Sequence, residues 1–206
     1  MPCKTSCKHK LKFVHFKNCS IFVSMRFDKI TEDERLWAVR YDGMDDNILY
    51  HSLHNWVDYS WLHNFFVSHA SDLNNYFRIT DLDQAIFDTI SDAIQLHSVI
   101  LDLSPERDLN ALFRPLENYR STEMVLGKEK AKGFRQSNHA SWLRLYAIKL
   151  DDSAFLITGG AIKLTRTMKE REHTIRELNR LEEVRNYLIE QGVADYSGAK
   201  ELFNNE

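Results

Sequence analysis

This chain has few of the residues that break or staple a fold. Of its 206 residues only three are Cys, three Pro and seven Gly. The Cys all fall within the first 19 residues, so no disulfide framework holds the body of the chain. With so little Pro and Gly, long disordered linkers are not expected. No window reaches the roughly 18 consecutive apolar residues of a bilayer span, so no membrane partner is expected. Apolar runs near the N-terminus are interrupted by Lys, His and Asn, which makes a poor secretory signal and points to a cytoplasmic address. Chemical signatures are missing too. There is no P-loop, no Rossmann fingerprint and no nucleophile elbow. His51, His54, His63 and His69 lack the spacing of a zinc helix, and Cys3, Cys7, His9 and Cys19 match no zinc knuckle. Neither a metal nor a cofactor is expected.

What is present is a large apolar fraction and a divided charge. Hydrophobic residues make up 43% and aromatics 12%, enough to bury a sizeable core. The net charge of −3 conceals opposing blocks. Residues 42–117 carry three Lys/Arg against thirteen Asp/Glu, whereas residues 120–185 carry fourteen against nine. An acidic middle and a basic C-terminal third suit a soluble helical block joined to a surface that meets an anion.

The pattern predicts an α+β fold. Residues 1–24 form an extension set apart by five Lys and no acid, and Met25 is an alternative start. A single domain is expected over 25–192, then a short amphipathic tail over 193–206 that docks or frays. Residues 36–41 alternate as a strand, and Asp42-Gly43 reads as a turn into a hairpin partner at 47–53. Aromatic residues from Trp56 to His69 follow helical spacing. Asp81 or Thr80 caps a helix to about 103, with Ile86, Ile90, Ile94 and Val99 in its apolar stripe. Ser104-Pro105 ends it, and a short helix follows to Phe113. Residues 117–140 are polar and basic, a loop or a ragged strand. Strands are expected at 142–150, 154–158 and 161–165, with Gly159-Gly160 as a turn or bulge. Thr174 and Glu177 read as a capping box for a helix to about 191.

Cations gather on the basic third. Strand alternation puts Arg144 and Tyr146 on one face, together with Trp142 and Ile148. Lys163 follows the glycine pair, and Arg166, Lys169 and Arg171 lie in the connection to the helix that His173 opens. Lys128, Lys130 and Lys132 precede them in the basic stretch. Convergence of these groups supplies cations for a phosphate, with His173 and Tyr146 as proton-transfer groups. The plainer alternative is a sheet face decorated with Arg and Lys for solubility and edge protection.

The run from 126 to 188 resembles the C-terminal half of RelE/HigB-type toxins of bacterial toxin–antitoxin systems. The matching elements are RLYAIKL, the acidic turn DD, SAFLIT, GGAIKLTRTM and the charged helix REHTIREL. The order of a strand, then helices, then antiparallel strands is similar to that layout. The resemblance implies a RelE-like core with an enlarged helical block. It implies cleavage of mRNA, free or ribosome-bound, without a metal, and neutralisation by an antitoxin of helix-turn-helix type. Arg144, Lys163 and Arg166 would then hold the phosphate, Lys169 or Arg171 would assist, and His173 or Tyr146 would be the acid or base. The alternative is a non-catalytic module of the same fold that binds nucleic acid or protein.

Overall fold

Two short alternating runs at the start of the described chain pair antiparallel, β1 (Met25–Lys29) with β2 (Leu36–Tyr41), Met25 opposite Tyr41. The computed structural model describes residues 25–101, 109–116, 126–133, 139–151 and 153–205. The extension 1–24, the Ser104-Pro105 break, and Arg120 and Arg135 of the basic stretch lie outside the described residues. Three further strands, β3 (Phe113–Pro115), β4 (Gly127–Lys132) and β5 (Leu143–Lys149), lead into β6 (Phe155–Ile162). The described strands form one six-stranded mixed sheet in the order β1-β2-β6-β5-β4-β3. Every pairing is antiparallel except β2 with β6. A parallel pair cannot be closed by a hairpin. The connection from β2 to β6 runs through the helical block and then β3, β4 and β5, so helices and antiparallel strands are segregated along the chain and the class is α+β.

That block begins with α1 (Ile48–Val57), α2 (Tyr59–Ser68), α3 (Ala70–Phe77) and α4 (Leu82–Leu101). A four-residue helix, α5 (Leu109–Leu112), precedes β3. The stretch expected to be the hairpin partner of β2 is therefore helix α1. Asn47 decides it locally, because its side chain accepts from Tyr50 N at 3.2 Å as an N-cap. The same Asn donates to Asp28 Oδ2 at 3.1 Å, which ties the helix start to β1. The aromatic run beyond Trp56 is likewise broken at Asp58, which caps α2 through Trp61 N at 2.9 Å.

The sheet is covered on both faces. Helices α1 and α4 pack on one, with α2 against both of them, and α6 (Glu172–Glu190) packs on the other. Gly159 and Gly160 show why. They sit inside one continuous strand rather than in a turn, and neither has a positive φ. A Cβ on Gly160 would lie 2.7 Å from Ser52 Cβ and 3.2 Å from the Trp56 ring of α1. A Cβ on Gly159 would strike the Glu177 carboxylate of α6. The pair is needed for close helix approach on both faces at once. The one bulge among the described strands lies next to it, where Tyr146 faces Gly159 but Ala147 faces Ile157, leaving Thr158 over.

Helix α6 starts three residues earlier than a capping box at Thr174 and Glu177 would set it, with Arg171 at the N-cap. The reciprocal cap is instead at Thr167 and Glu170, on the short 3₁₀ turn Met168–Glu170. Thr174 Oγ1 donates back to Met168 O at 2.6 Å, and Glu177 is buried against the sheet. The tail forms α7 (Tyr196–Asn205), which docks beside β1. Phe203 stacks on Phe27 with centroids 4.2 Å apart, and the Tyr196 hydroxyl donates to Glu34 O at 2.7 Å. No described helix is long and apolar enough to cross a membrane.

Candidate functional site

The sheet register assembles the cations. Lys130 lies opposite Tyr146, and Lys132 lies opposite Arg144. Arg144 in turn lies opposite Ala161, so Lys163 emerges two residues later on the same face. The alternation that aims these outward turns Glu129 inward. Trp142 does not share their face. It precedes β5, escapes the strand alternation, and turns into the α2–α4 layer.

Lys130, Lys132, Arg144, Tyr146, Lys163, Arg166 and Lys169 line one cavity of about 660 Å³, with Leu116, Thr167, Met168 and Leu178. None of the lining residues is acidic. Backbone carbonyls hold several of the cations in place. Lys130 Nζ donates to Leu116 O at 2.8 Å, and Arg144 donates to Ser141 O at 2.7 Å. Lys163 Nζ donates to Thr165 O and Arg166 O, both at 2.6 Å. The cations also lower one another's proton affinity. Burial, then Lys132 and Arg144, holds Lys130 below the usual lysine range. Arg144, then burial, does the same for Lys132, and burial followed by Arg144 does so for Lys163. Like charges held this close give the cavity a positive potential.

Tyr146 is at the buried end of the cluster, 1% exposed. Burial raises its pKa against the Arg144 charge, with Glu177 acting in the upward direction. It is therefore held protonated, and its hydroxyl has no hydrogen-bond partner among the described residues. Glu177, which the sequence offered only as a cap, reaches over Gly159, the cross-strand neighbour of Tyr146. Its Oε1 accepts from Arg180 at 2.9 Å, and burial raises its pKa.

Three expected site residues lie elsewhere. Arg171 is committed to Asp72, with Nε 2.6 Å from Oδ2, because Asp72 is buried and needs a counter-charge. Lys128 pairs with Glu182 of α6. His173 points away from the cavity. Its Nε2 lies 2.9 Å from Ile162 O, and its ring packs edge-on against Phe65 and His69. Burial lowers its pKa. Conversely, Arg114 of β3 lies opposite Lys130, exposed on the same face. Sequence reasoning missed it, because a three-residue strand leaves no periodicity to read.

Glu129 gives a separate test of this register. It is 3% exposed on the far side of β4, and burial raises its pKa to about 7 against the pull of Lys149 and Lys130. The folded state therefore holds this proton more tightly than the unfolded chain does. The stabilisation is complete below the ordinary carboxylate range and is lost as pH rises through about 7. Glu129→Gln should remove that dependence. Urea melts at pH 5 and pH 8 are expected to show the variant gaining on the wild type by on the order of 1–2 kcal/mol at the higher pH. Parallel pH profiles for the two proteins would count against a buried Glu129.

The chain matches no protein-family model, no curated protein and no solved structure.

Proposed function

We propose that the cavity holds the phosphate backbone of RNA and that the protein is a RelE/HigB-like toxin, a metal-free mRNA endoribonuclease restrained by a cognate antitoxin. The observation that carries this reading is the convergence of six cations on a cavity that Tyr146 also lines and that has no acidic lining residue. The strands that build it are those that carry the resemblance, and the chain order of strand, helices and antiparallel strands agrees with it.

In this reading Arg144, Lys163 and Arg166 bind the scissile phosphate and stabilise the phosphorane formed when the RNA 2′-hydroxyl attacks. Lys130, opposite Tyr146 on the ladder, is placed to accept the 2′-hydroxyl proton. Tyr146, held protonated, donates to the departing 5′-oxygen. Lys132 and Lys169 hold flanking phosphates. One observation favours the alternative of a non-catalytic RNA-binding module. His173, the histidine expected to move protons, is turned out of the cavity.

The test is a labelled single-stranded RNA incubated with the purified chain in EDTA. Cleavage leaving 2′,3′-cyclic phosphate ends is expected, and binding should fall with salt at a log–log slope of about −0.7 for each phosphate held. Salt-sensitive binding without cleavage would select the binding-module reading. Absence of binding would overturn both.

A further inference from the structure

We infer that α4 is a dimerisation helix and that its exposed face packs antiparallel against α4 of a second copy of this chain. The buried side of α4 is filled by Ala85, Ile86, Thr89, Asp92, Ala93, Leu96 and Ile100. Past the exposed Asp83 near its start, its exposed positions are Gln84, Phe87, Ser91, Ile94, Ser98 and Leu101. They follow a spacing of three and four residues, the seam of a helix that packs on another helix. None is charged, in a protein of which 28% is charged. Phe87 is 62% exposed, Ile94 57% and Leu101 54%. Ile94 was expected in the core stripe, yet it stands at the centre of this outer one.

The pattern names its occupant. Phe87 lies seven residues before Ile94 and Leu101 seven after it. A two-fold axis through Ile94 therefore sets Phe87 of each copy against Leu101 of the other. The small Ser91 and Ser98 between the large residues let the two helices approach closely. A parallel arrangement would instead bring Asp81 and Asp83 of both copies together at one end, which like charges oppose. A basic partner helix would find no charge on this face to read. Tyr59 extends the patch, since its hydroxyl donates to Asp83 at 2.6 Å one turn before Phe87. The helix is about 30 Å long. Its exposed face, with Tyr59, offers roughly 500 Å² per copy, and the pair buries on the order of 1,000 Å², the lower end of specific interfaces. Such a dimer is expected to dissociate in roughly the micromolar range.

Analytical ultracentrifugation of the full chain from about 1 to about 100 µM tests this. A monomer–dimer equilibrium is expected. Ile94→Glu should abolish it while leaving the thermal melt at low concentration unchanged, because Ile94 is mostly exposed. Phe87→Lys alone and Leu101→Glu alone should each weaken dimerisation at least tenfold. The double variant should recover, because each introduced lysine then faces the introduced glutamate of the other copy. A wild-type chain that stays monomeric throughout would overturn the inference and leave this face to a different partner. So would a dimer indifferent to Ile94→Glu, or a double variant no better than the two single ones.

Discussion

Replacing Arg144 and Lys163 together by alanine should weaken RNA binding by about a hundredfold or more and abolish any cleavage. In the proposed reading each donates a charge-assisted hydrogen bond to a phosphate, worth about 1.5–3 kcal/mol when its partner is held in place. The salt slope should also become shallower, by about 0.7 for each lost contact. Arg144 also braces the backbone through Ser141 O and Leu143 O, so its loss can disturb the strand start. Lys132→Glu supplies the control, since Lys132 is exposed on the cavity wall and its side chain makes no hydrogen bond to the other described residues. It should also reduce affinity, with the circular dichroism spectrum and melting temperature retained. Fluorescence anisotropy with a labelled RNA oligomer measures both variants. Unchanged affinity in folded Lys132→Glu and in the double variant would sink the cavity as the binding site.

Trp142→Ala should be the most damaging single substitution in the core. The ring is fully buried, stacked on His139 at 4.2 Å and set edge-on against Phe66 and Phe77. Its indole N–H donates to Thr89 Oγ1 of α4 at 2.9 Å. This side chain joins the start of β5 to three helices. Removing it leaves a cavity and costs roughly 3–5 kcal/mol, a large share of the 5–15 kcal/mol by which domains are generally stable. The melting temperature should fall by about 10 °C or more. Trp142→Phe should lose far less, keeping most of the packing and forgoing the Thr89 bond. Calorimetry of the three proteins checks the order. A Trp142→Ala melt within a degree or so of wild type would remove Trp142 from the role of keystone.

The two substitutions act on neighbouring residues with opposite fates, and strand alternation alone did not separate them. Pleating put Trp142 with Arg144 and Tyr146. The register shows that β5 begins only at Leu143, so the residue before it is free to turn the other way. The same kind of uncertainty governed residues 47–53. Their pattern suits a strand as well as a helix, and the choice fell to Asn47, whose side chain both caps α1 and binds Asp28 of the neighbouring strand.

Several features of this protein were written in the sequence itself. Charge blocks separated an acidic helical part from a basic strand part. Period-two runs located β2 and β5, period-three-to-four runs located α4 and α6, and the spacing of Arg144, Tyr146 and Lys163 marked a cationic face. These signals are local, fixed by how a strand or helix projects consecutive side chains. Tertiary structure decided what no local pattern carries. It set β2 parallel to β6, ran β6 straight through a glycine pair because two helices crowd it, and brought Lys130 and Lys132 beside Arg144 across a ladder. It also withdrew Arg171 into a pair with Asp72, a residue 99 positions away, and turned His173 towards His69. A cation's availability depends on which carboxylate the fold brings within reach, and that distance is not recorded along the chain.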